Sequence, residues 1–278
     1  MNTSHIPDLR VLNPDVLPRL GKVRHALFDF DGTISTLRQG WEEVMIPMMV
    51  EAICGDTPAT PEIEQEVREY VDRSTGILTI EQMRWLEETV RQYGMTEALT
   101  AADYKQRYLD LLLVDVDRRV ADVVSCRVPT VDRMVAGAEA FVSGLRQRGV
   151  TLYLASGTDH PYVVREASVL RVERYFSGGV YGALDANEAH SKERVVQRIL
   201  DDHHLSGDEL MVVGDGPVEI REAAKRGAIA VGLASDEVAR HGWNEAKVRR
   251  MTDANADLLI PDFSQAEALV SLLAGEAL

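Results

Sequence analysis

Leu27-Phe28-Asp29-Phe30-Asp31-Gly32-Thr33 is the stretch on which the fold turns. A short apolar run, Val23, Ala26, Leu27 and Phe28, leads into it and reads as a buried strand over residues 23–29. Alternate side chains of an extended chain leave on one side, so Asp29 and Asp31 point the same way at the strand end, where Gly32 lets the backbone turn. Two like charges so close are costly unless a cation lies between them. A bound divalent metal meets that need, with one carboxylate as nucleophile and the other as proton carrier. The competing reading is an ordinary strand-to-loop junction, where Asp and Gly are favoured by turn chemistry.

Matching pieces recur at later strand ends. After an apolar run over residues 150–155 comes Ser156-Gly157-Thr158-Asp159, a hydroxyl and exposed backbone N–H groups suited to an anion. Further on, His190-Ser191-Lys192-Glu193 opens a segment with Val195, Val196, Ile199 and Leu200 at helical spacing. Lys192 then stands at a helix N-terminus, where the backbone is already partly positive and an anion would relieve the conflict. A run over residues 209–213 ends in Gly214-Asp215-Gly216-Pro217-Val218-Glu219. A helix starting at Pro217 places Glu219 one turn behind Asp215, a second carboxylate for a hard, oxygen-seeking cation. Singly, these pieces are also common turns and solvated helix starts.

In order, Asp29-x-Asp31-Gly32-Thr33, Ser156, Lys192 and Gly214-Asp215 with Glu219 resemble the four motifs of the haloacid dehalogenase-like phosphohydrolases. The resemblance implies an α/β fold: a doubly wound, mainly parallel Rossmann-like sheet with an inserted all-helical cap. It implies that Asp29 attacks phosphorus to form an aspartyl-phosphate, while Asp31 protonates the leaving alcohol and then deprotonates water. Thr33 helps position Asp31; Ser156, Gly157 and Lys192 hold the phosphoryl oxygens; Mg²⁺ is bound by Asp29, the backbone carbonyl of Asp31, and Asp215. Many relatives carry Asp where this chain has Glu219, so Glu219 either binds metal or orients a group that does. Relatives that release halide or cleave carbon–phosphorus bonds lack the second aspartate, so Asp31 points to phosphate-ester hydrolysis. A sugar phosphomutase would also keep it.

The implied activity is therefore a Mg²⁺-dependent phosphatase for a small phosphorylated metabolite, with a sugar phosphate expected from family habit. The alternatives are the mutase and, in another class, a catalytically silent phosphate-ester binding or regulatory protein. The intact pair Asp29 and Asp31 speaks against the silent one.

Composition agrees. The chain has 278 residues, 45% of them hydrophobic, enough for a core with an insertion. Thirty Lys and Arg face 45 Asp and Glu, a formal net charge of -15, which repels nucleic acid and anionic membranes. The substrate is then drawn by local cations and the metal. Two cysteines, Cys54 and Cys126, exclude a disulfide framework or a zinc site. With no secretory signal in residues 1–10 and no membrane-length apolar stretch, a cytoplasmic protein, monomer or homodimer, is the expectation.

Residues 1–33 and 131–278 read as the core, and residues 34–130 as the cap. The lead over residues 2–20, with Pro7, Pro14 and Pro18, is expected to wrap on the surface. In the insertion, helical spacing runs over residues 41–53, 61–71, 79–93 and 101–114, with Thr79 and Gln82 as a capping pair and a methionine stripe as core. A cap at this point closes over the site in the family, so Arg38 is a candidate substrate contact, with Trp41, Arg73, Thr75 and Arg84 to be watched. Downstream, helices are expected over residues 134–148 and 162–170, and strands over 179–181, 228–231 and 258–260, with Gly149 stopping the first helix. His160 and His190 lie close enough in sequence to reach the site; His203 and His204 read as a polar helix end.

Overall fold

The computed structural model describes residues 6–183 and 192–275. Seven strands form one sheet: β1 (Arg10–Val11), β2 (His25–Phe28), β3 (Thr151–Asp159), β4 (Gly179–Ala183), β5 (Leu210–Gly214), β6 (Ile229–Leu233) and β7 (Leu258–Ile260), in the order β1-β7-β6-β5-β2-β3-β4. Every pairing is parallel except β1 with β7. From β2 the sheet grows towards β3 and β4 on one side and β5, β6 and β7 on the other. The carboxyl end of β2 is thus the switch point at which a doubly wound sheet opens a crevice for ligands.

Parallel strands buried on both faces read as continuous apolar runs, and β2 divides its residues by alternation. Ala26 and Phe28 join a cluster with Phe141, Phe176 and Phe263, while Leu27 joins Val195, Val196, Ile199 and Ile220 on the opposite face. The Phe141 and Phe263 rings stack at 4.9 Å, and Phe28 meets Phe141 edge-on at 6.0 Å. Helices α5 (Ala138–Gln147), α6 (His160–Val169) and α10 (Ala266–Ala274) contribute to the first cluster; α7 (Lys192–His203), α8 (Pro217–Lys225) and α9 (Glu245–Asp253) contribute to the second.

Between β2 and α5 stand α1 (Trp41–Cys54), α2 (Pro61–Arg73), α3 (Thr79–Tyr93) and α4 (Ala101–Val124). Their apolar faces pack together through Met45, Met48, Met49, Val67, Met83 and Leu86, all buried, and Tyr70 stacks on Trp85 at 3.8 Å. The methionines are core. Among the described residues no helix is long and apolar enough to cross a membrane.

Several expectations need correction. The lead segment is not merely wrapped on the surface: Arg10 and Val11 pair with Leu259 and Leu258, and Val16 and Leu20 are buried. Its polar, proline-rich composition hid a two-residue edge strand too short for any periodicity to register. Helix α5 begins at Ala138 instead of near residue 134, because Gly137 sits at φ 76°, packed where a side chain would meet the carbonyl of Phe263 at 2.0 Å. Helix α4 runs ten residues further than expected, to Val124, since Val116, Val120 and Val123 keep the buried stripe going. Leu78, not Thr79, caps α3 without a side-chain bond, and the buried Gln82 amide donates to Ser74 Oγ at 3.1 Å. Gly149 does follow the end of α5, at φ 78°.

Candidate active site

Register sets the site. Phe28 lies level with Leu154 of β3 and Val213 of β5, so Asp29 and Asp215 emerge just past two adjacent strand ends, and Ser156 stands beside them within β3, which runs past the expected residue 155 to Asp159 through a register shift against β4. The Asp29 N–H still donates to the Val213 carbonyl at 2.9 Å, which holds its side chain at the sheet's rim. The chain then folds back, with the N–H groups of Ile34 and Ser35 both donating to the Phe30 carbonyl at 2.9 Å. Gly32 takes φ 76°, and a Cβ there would lie 2.3 Å from Asp215 Oδ2. Only glycine lets this loop approach Asp215 so closely.

Asp29 is 6% exposed and Asp215 5%. Each gives one oxygen to a buried ammonium group: Asp29 Oδ1 to Lys192 Nζ at 2.7 Å, and Asp215 Oδ2 to Lys247 Nζ at 2.6 Å. Their other oxygens, Asp29 Oδ2 and Asp215 Oδ1, converge on the Thr33 hydroxyl at 3.5 and 3.4 Å, so Thr33, fully buried, meets these two carboxylates and not Asp31, whose positioning it was expected to serve. Carboxylate oxygens of Asp29, Asp215 and Glu219 lie within 4.8 Å of one another. Glu219, however, has both oxygens engaged, one by Lys192 Nζ at 3.0 Å and one by the Gly216 N–H at 2.9 Å. Lys247 also holds Glu237 at 2.7 Å. Among the described residues, three buried carboxylates and the half-buried Glu237 therefore face two ammonium groups, a deficit that one divalent cation would fill. The converging oxygens are of the hard type such a cation takes.

The electrostatics follow the geometry. Burial pushes the Asp29 carboxyl well above the usual range; Lys192 opposes this, while Glu219 and Asp215 reinforce it. Burial also works to raise Asp215, but Lys247 beside it outweighs burial and holds it below the usual carboxylate value. Burial alone would lower both lysines, yet the paired carboxylates raise them.

Asp31 lines the same cavity as Asp29. Its Oδ2 accepts from Ser156 Oγ at 3.0 Å and Thr158 Oγ1 at 3.1 Å. Among the described residues its Oδ1 is buried without a hydrogen-bond partner, 3.7 Å from Arg38 Nε. The Arg38 guanidinium makes its short contacts to Glu166 of α6 instead.

The helical insertion covers the site with the loop between α2 and α3. Thr75, Gly76 and Ile77 line a cavity of about 70 Å³ together with Trp41 and Tyr108 of the insertion and Asp29, Asp31, Arg38, Ser156, Gly157, Lys192 and Asp215 below. A Cβ on Gly157 would come within 2.2 Å of the Ile77 carbonyl, and one on Gly76 within 2.7 Å of Glu219 Oε2. The two parts touch backbone to backbone, which is a closed arrangement.

Seven of the nine residues singled out from sequence line this cavity; Thr33 and Glu219 stand directly behind it, bonded to those that do. Trp41 and Thr75 also line it, whereas Arg73 lies over the Tyr70 ring and Arg84 pairs with Glu81 on α3. His160 opens α6 away from the lining, and His190 lies outside the described residues. His203 is more than a polar helix end: its ring packs at 4.5 Å on His25, and its Nε2 meets Tyr153 Oη at 2.9 Å. Sequence reasoning missed Lys247, Glu237, Glu166, Thr158 and Tyr108. Of these, Thr158 lay inside the quoted Ser156-Gly157-Thr158-Asp159 stretch without being given a role, and Lys247 left a fainter trace, a lysine in the first turn of a helix.

A family model for haloacid dehalogenase-like hydrolases matches residues 23–227. The chain belongs to the haloacid dehalogenase-like hydrolases. Among curated proteins, a 5'-nucleotidase of Pseudomonas aeruginosa is 26% identical over 116 residues, which are 40% of this chain and 52% of that protein. The chain thus aligns with about half the length of this relative. Among solved structures, one described as a predicted phosphoglycolate phosphatase from Haemophilus somnus aligns with TM-score 0.59 at 14% identity, covering 89% of this chain and 98% of the other. A β-phosphoglucomutase from Clostridium difficile aligns with TM-score 0.56 at 12% identity, covering 87% and 92%. At these identities the likeness concerns the fold.

Proposed function

We propose that this chain is a Mg²⁺-dependent phosphatase, hydrolysing a small phosphorylated metabolite through an aspartyl-phosphate on Asp29. The observation that carries the reading is the division of labour between the two aspartates. Asp29 is fixed by Lys192 in the cavity lining, while Asp31, in the same lining, keeps Oδ1 free of hydrogen bonds among the described residues. The Asp29 carboxylate attacks phosphorus as the bond to the leaving oxygen breaks, and Asp31 gives that oxygen its proton. Asp31 then takes a proton from the water that attacks the acyl phosphate, restoring both carboxyl groups. Ser156, Gly157 and Lys192 face the phosphoryl oxygens, where fixed positive groups lower the barrier. Mg²⁺ held by Asp29 and Asp215 would neutralise charge on the transferring group. Glu219 acts through Lys192, whose ammonium it orients.

The helical insertion acts as the cap. At about 10–15 Å³ of such space per water, the part-open cavity of about 70 Å³ fits a phosphoryl group and little more, so the rest of a metabolite extends through its mouth or displaces the cap. A mutase must also hold a second phosphate. Among the described residues that line the cavity, the cations are Arg38 and Lys192, both paired with carboxylates, which supports the phosphatase. A sugar phosphate is our first candidate, and the 5'-nucleotidase relative adds nucleoside monophosphates to the panel.

The test is phosphate release with Mg²⁺ from a chromogenic ester and a phosphorylated-metabolite panel, alongside Asp29→Asn. Turnover by the unmodified chain and none by the variant is expected. Equal inertness of both would favour a silent binding protein, and conversion of a hexose 1-phosphate to its isomer without phosphate release would favour the mutase.

A further inference from the structure

Lys247 belongs to none of the motifs that define the site, yet it is one of its most constrained residues. It lies in the first turn of α9, where Asn244 caps the helix by accepting from the N–H groups of Ala246 and Lys247. A cation is unfavourable there, since the helix N-terminus is already partly positive. It is also 7% exposed, and burying an ammonium group costs several kcal/mol unless carboxylates answer it. Asp215 at 2.6 Å and Glu237 at 2.7 Å are that answer. The chain thus keeps a lysine against two local penalties, with its ammonium on one chosen oxygen of Asp215.

We propose that Lys247 sets the cation preference of the site by occupying Asp215 Oδ2 and leaving Oδ1 as the only oxygen Asp215 can offer. Lys192 does the same to Asp29 Oδ1, so both carboxylates are one-oxygen donors and the two open atoms are those that converge on Thr33. Ca²⁺ accepts six to eight oxygens and often takes a carboxylate through both, whereas Mg²⁺ requires a compact octahedron and keeps several waters. A carboxylate held to one oxygen suits Mg²⁺ and withholds the extra ligand that Ca²⁺ would use. Glu237 keeps the ammonium in place from the far side. The inference rests on the reading of Asp29 and Asp215 as cation ligands.

Binding of MgCl₂ and CaCl₂ to the full chain without substrate, by calorimetry and by the rise in melting temperature, tests it on the unmodified protein, Lys247→Met and Lys247→Arg. Methionine has similar length and no charge; arginine can still span Asp215 and Glu237. The expected result is a preference for Mg²⁺ that falls about tenfold or more in the methionine variant and returns in the arginine variant, about 1.4 kcal/mol in relative affinity. A lysine that only balanced charge would let both ions bind tighter together, and a ratio unchanged within about twofold overturns the proposal. An unmodified protein that does not prefer Mg²⁺ overturns it as well. If neither ion binds the unmodified chain, the metal reading of the site falls with it. Should the methionine variant not fold, a crystal structure of the unmodified protein with CaCl₂ decides: Asp215 bound through Oδ1 with Lys247 still on Oδ2 upholds the proposal, and a two-oxygen Asp215 with Lys247 displaced overturns it.

Discussion

Arg38 and Glu166 form a two-point ion pair inside the protein, Nε to Oε2 at 3.0 Å and Nη2 to Oε1 at 2.7 Å, with Glu166 fully buried. The pair joins the segment that leads into the insertion to α6 of the core, and it sits against Asp31. Removing one partner strands the other charge, so Glu166→Ala should cost about 3–5 kcal/mol, read as a lower denaturant midpoint. Replacing both, as Arg38→Met with Glu166→Leu, should recover most of that stability while activity stays low. A single variant as stable as the parent would show that the pair contributes nothing.

Asp31→Asn keeps the hydroxyl contacts of Ser156 and Thr158 but cannot shuttle a proton. Turnover of an alkyl phosphate should fall by about 10²–10⁴-fold. The loss should be smaller for a nitrophenyl ester, whose leaving group needs less protonation. Steady-state rates on the two esters check this, and equal losses would mean that Asp31 does not protonate the leaving oxygen.

Closure depends on a missing side chain. Gly157→Val puts a Cβ where the Ile77 carbonyl already lies 2.2 Å away, so the loop over the cavity can no longer seat. Misplacement on that scale should reduce kcat/KM by about 10²-fold while the melting temperature stays near that of the parent. An active Gly157→Val enzyme would mean that the closed arrangement is not the reactive one.

At the opposite end of the sheet, His25 meets Tyr153 Oη at 3.0 Å, and Tyr153 bridges to His203. Burial lowers the His25 pKa below 6.5, His203 and Arg24 lower it further, and Glu209 opposes them. The fold therefore prefers neutral His25. That contribution to stability is present above the unfolded value and is lost as pH falls below it towards the lower folded value. An NMR titration should place the His25 imidazole below 6.5, and His25→Gln should flatten the acid side of the stability profile. A ring that titrates at or above 6.5 contradicts this assignment.

What could be read from sequence was whatever has a fixed spacing. Asp29 and Asp31 two apart on an extended chain, Glu219 four after Asp215, and Lys192 ahead of an apolar helical repeat all carry local geometry, and the structure brings them to one cavity, with Glu219 directly behind its lining. The positions of Asp29, Ser156 and Asp215 followed once their strands were taken as parallel neighbours. Lys247 with Asp215, 32 residues apart, and Arg38 with Glu166, 128 apart, have no such periodicity, because a buried ion pair forms wherever the fold brings opposite charges together. β1 escaped for a related reason: two residues are too few to alternate.

On α9, Lys247 and Arg250 stand one helical turn apart. Lys247 grips the acidic floor at Asp215, while Arg250 reaches out to Asp72 on α2 and to Glu42 on α1. One turn of helix thus ties the acidic floor and the helices above it to a single short rod, so Arg250→Ala, which frees its outer end, should lower the melting temperature without touching a residue of the cavity lining.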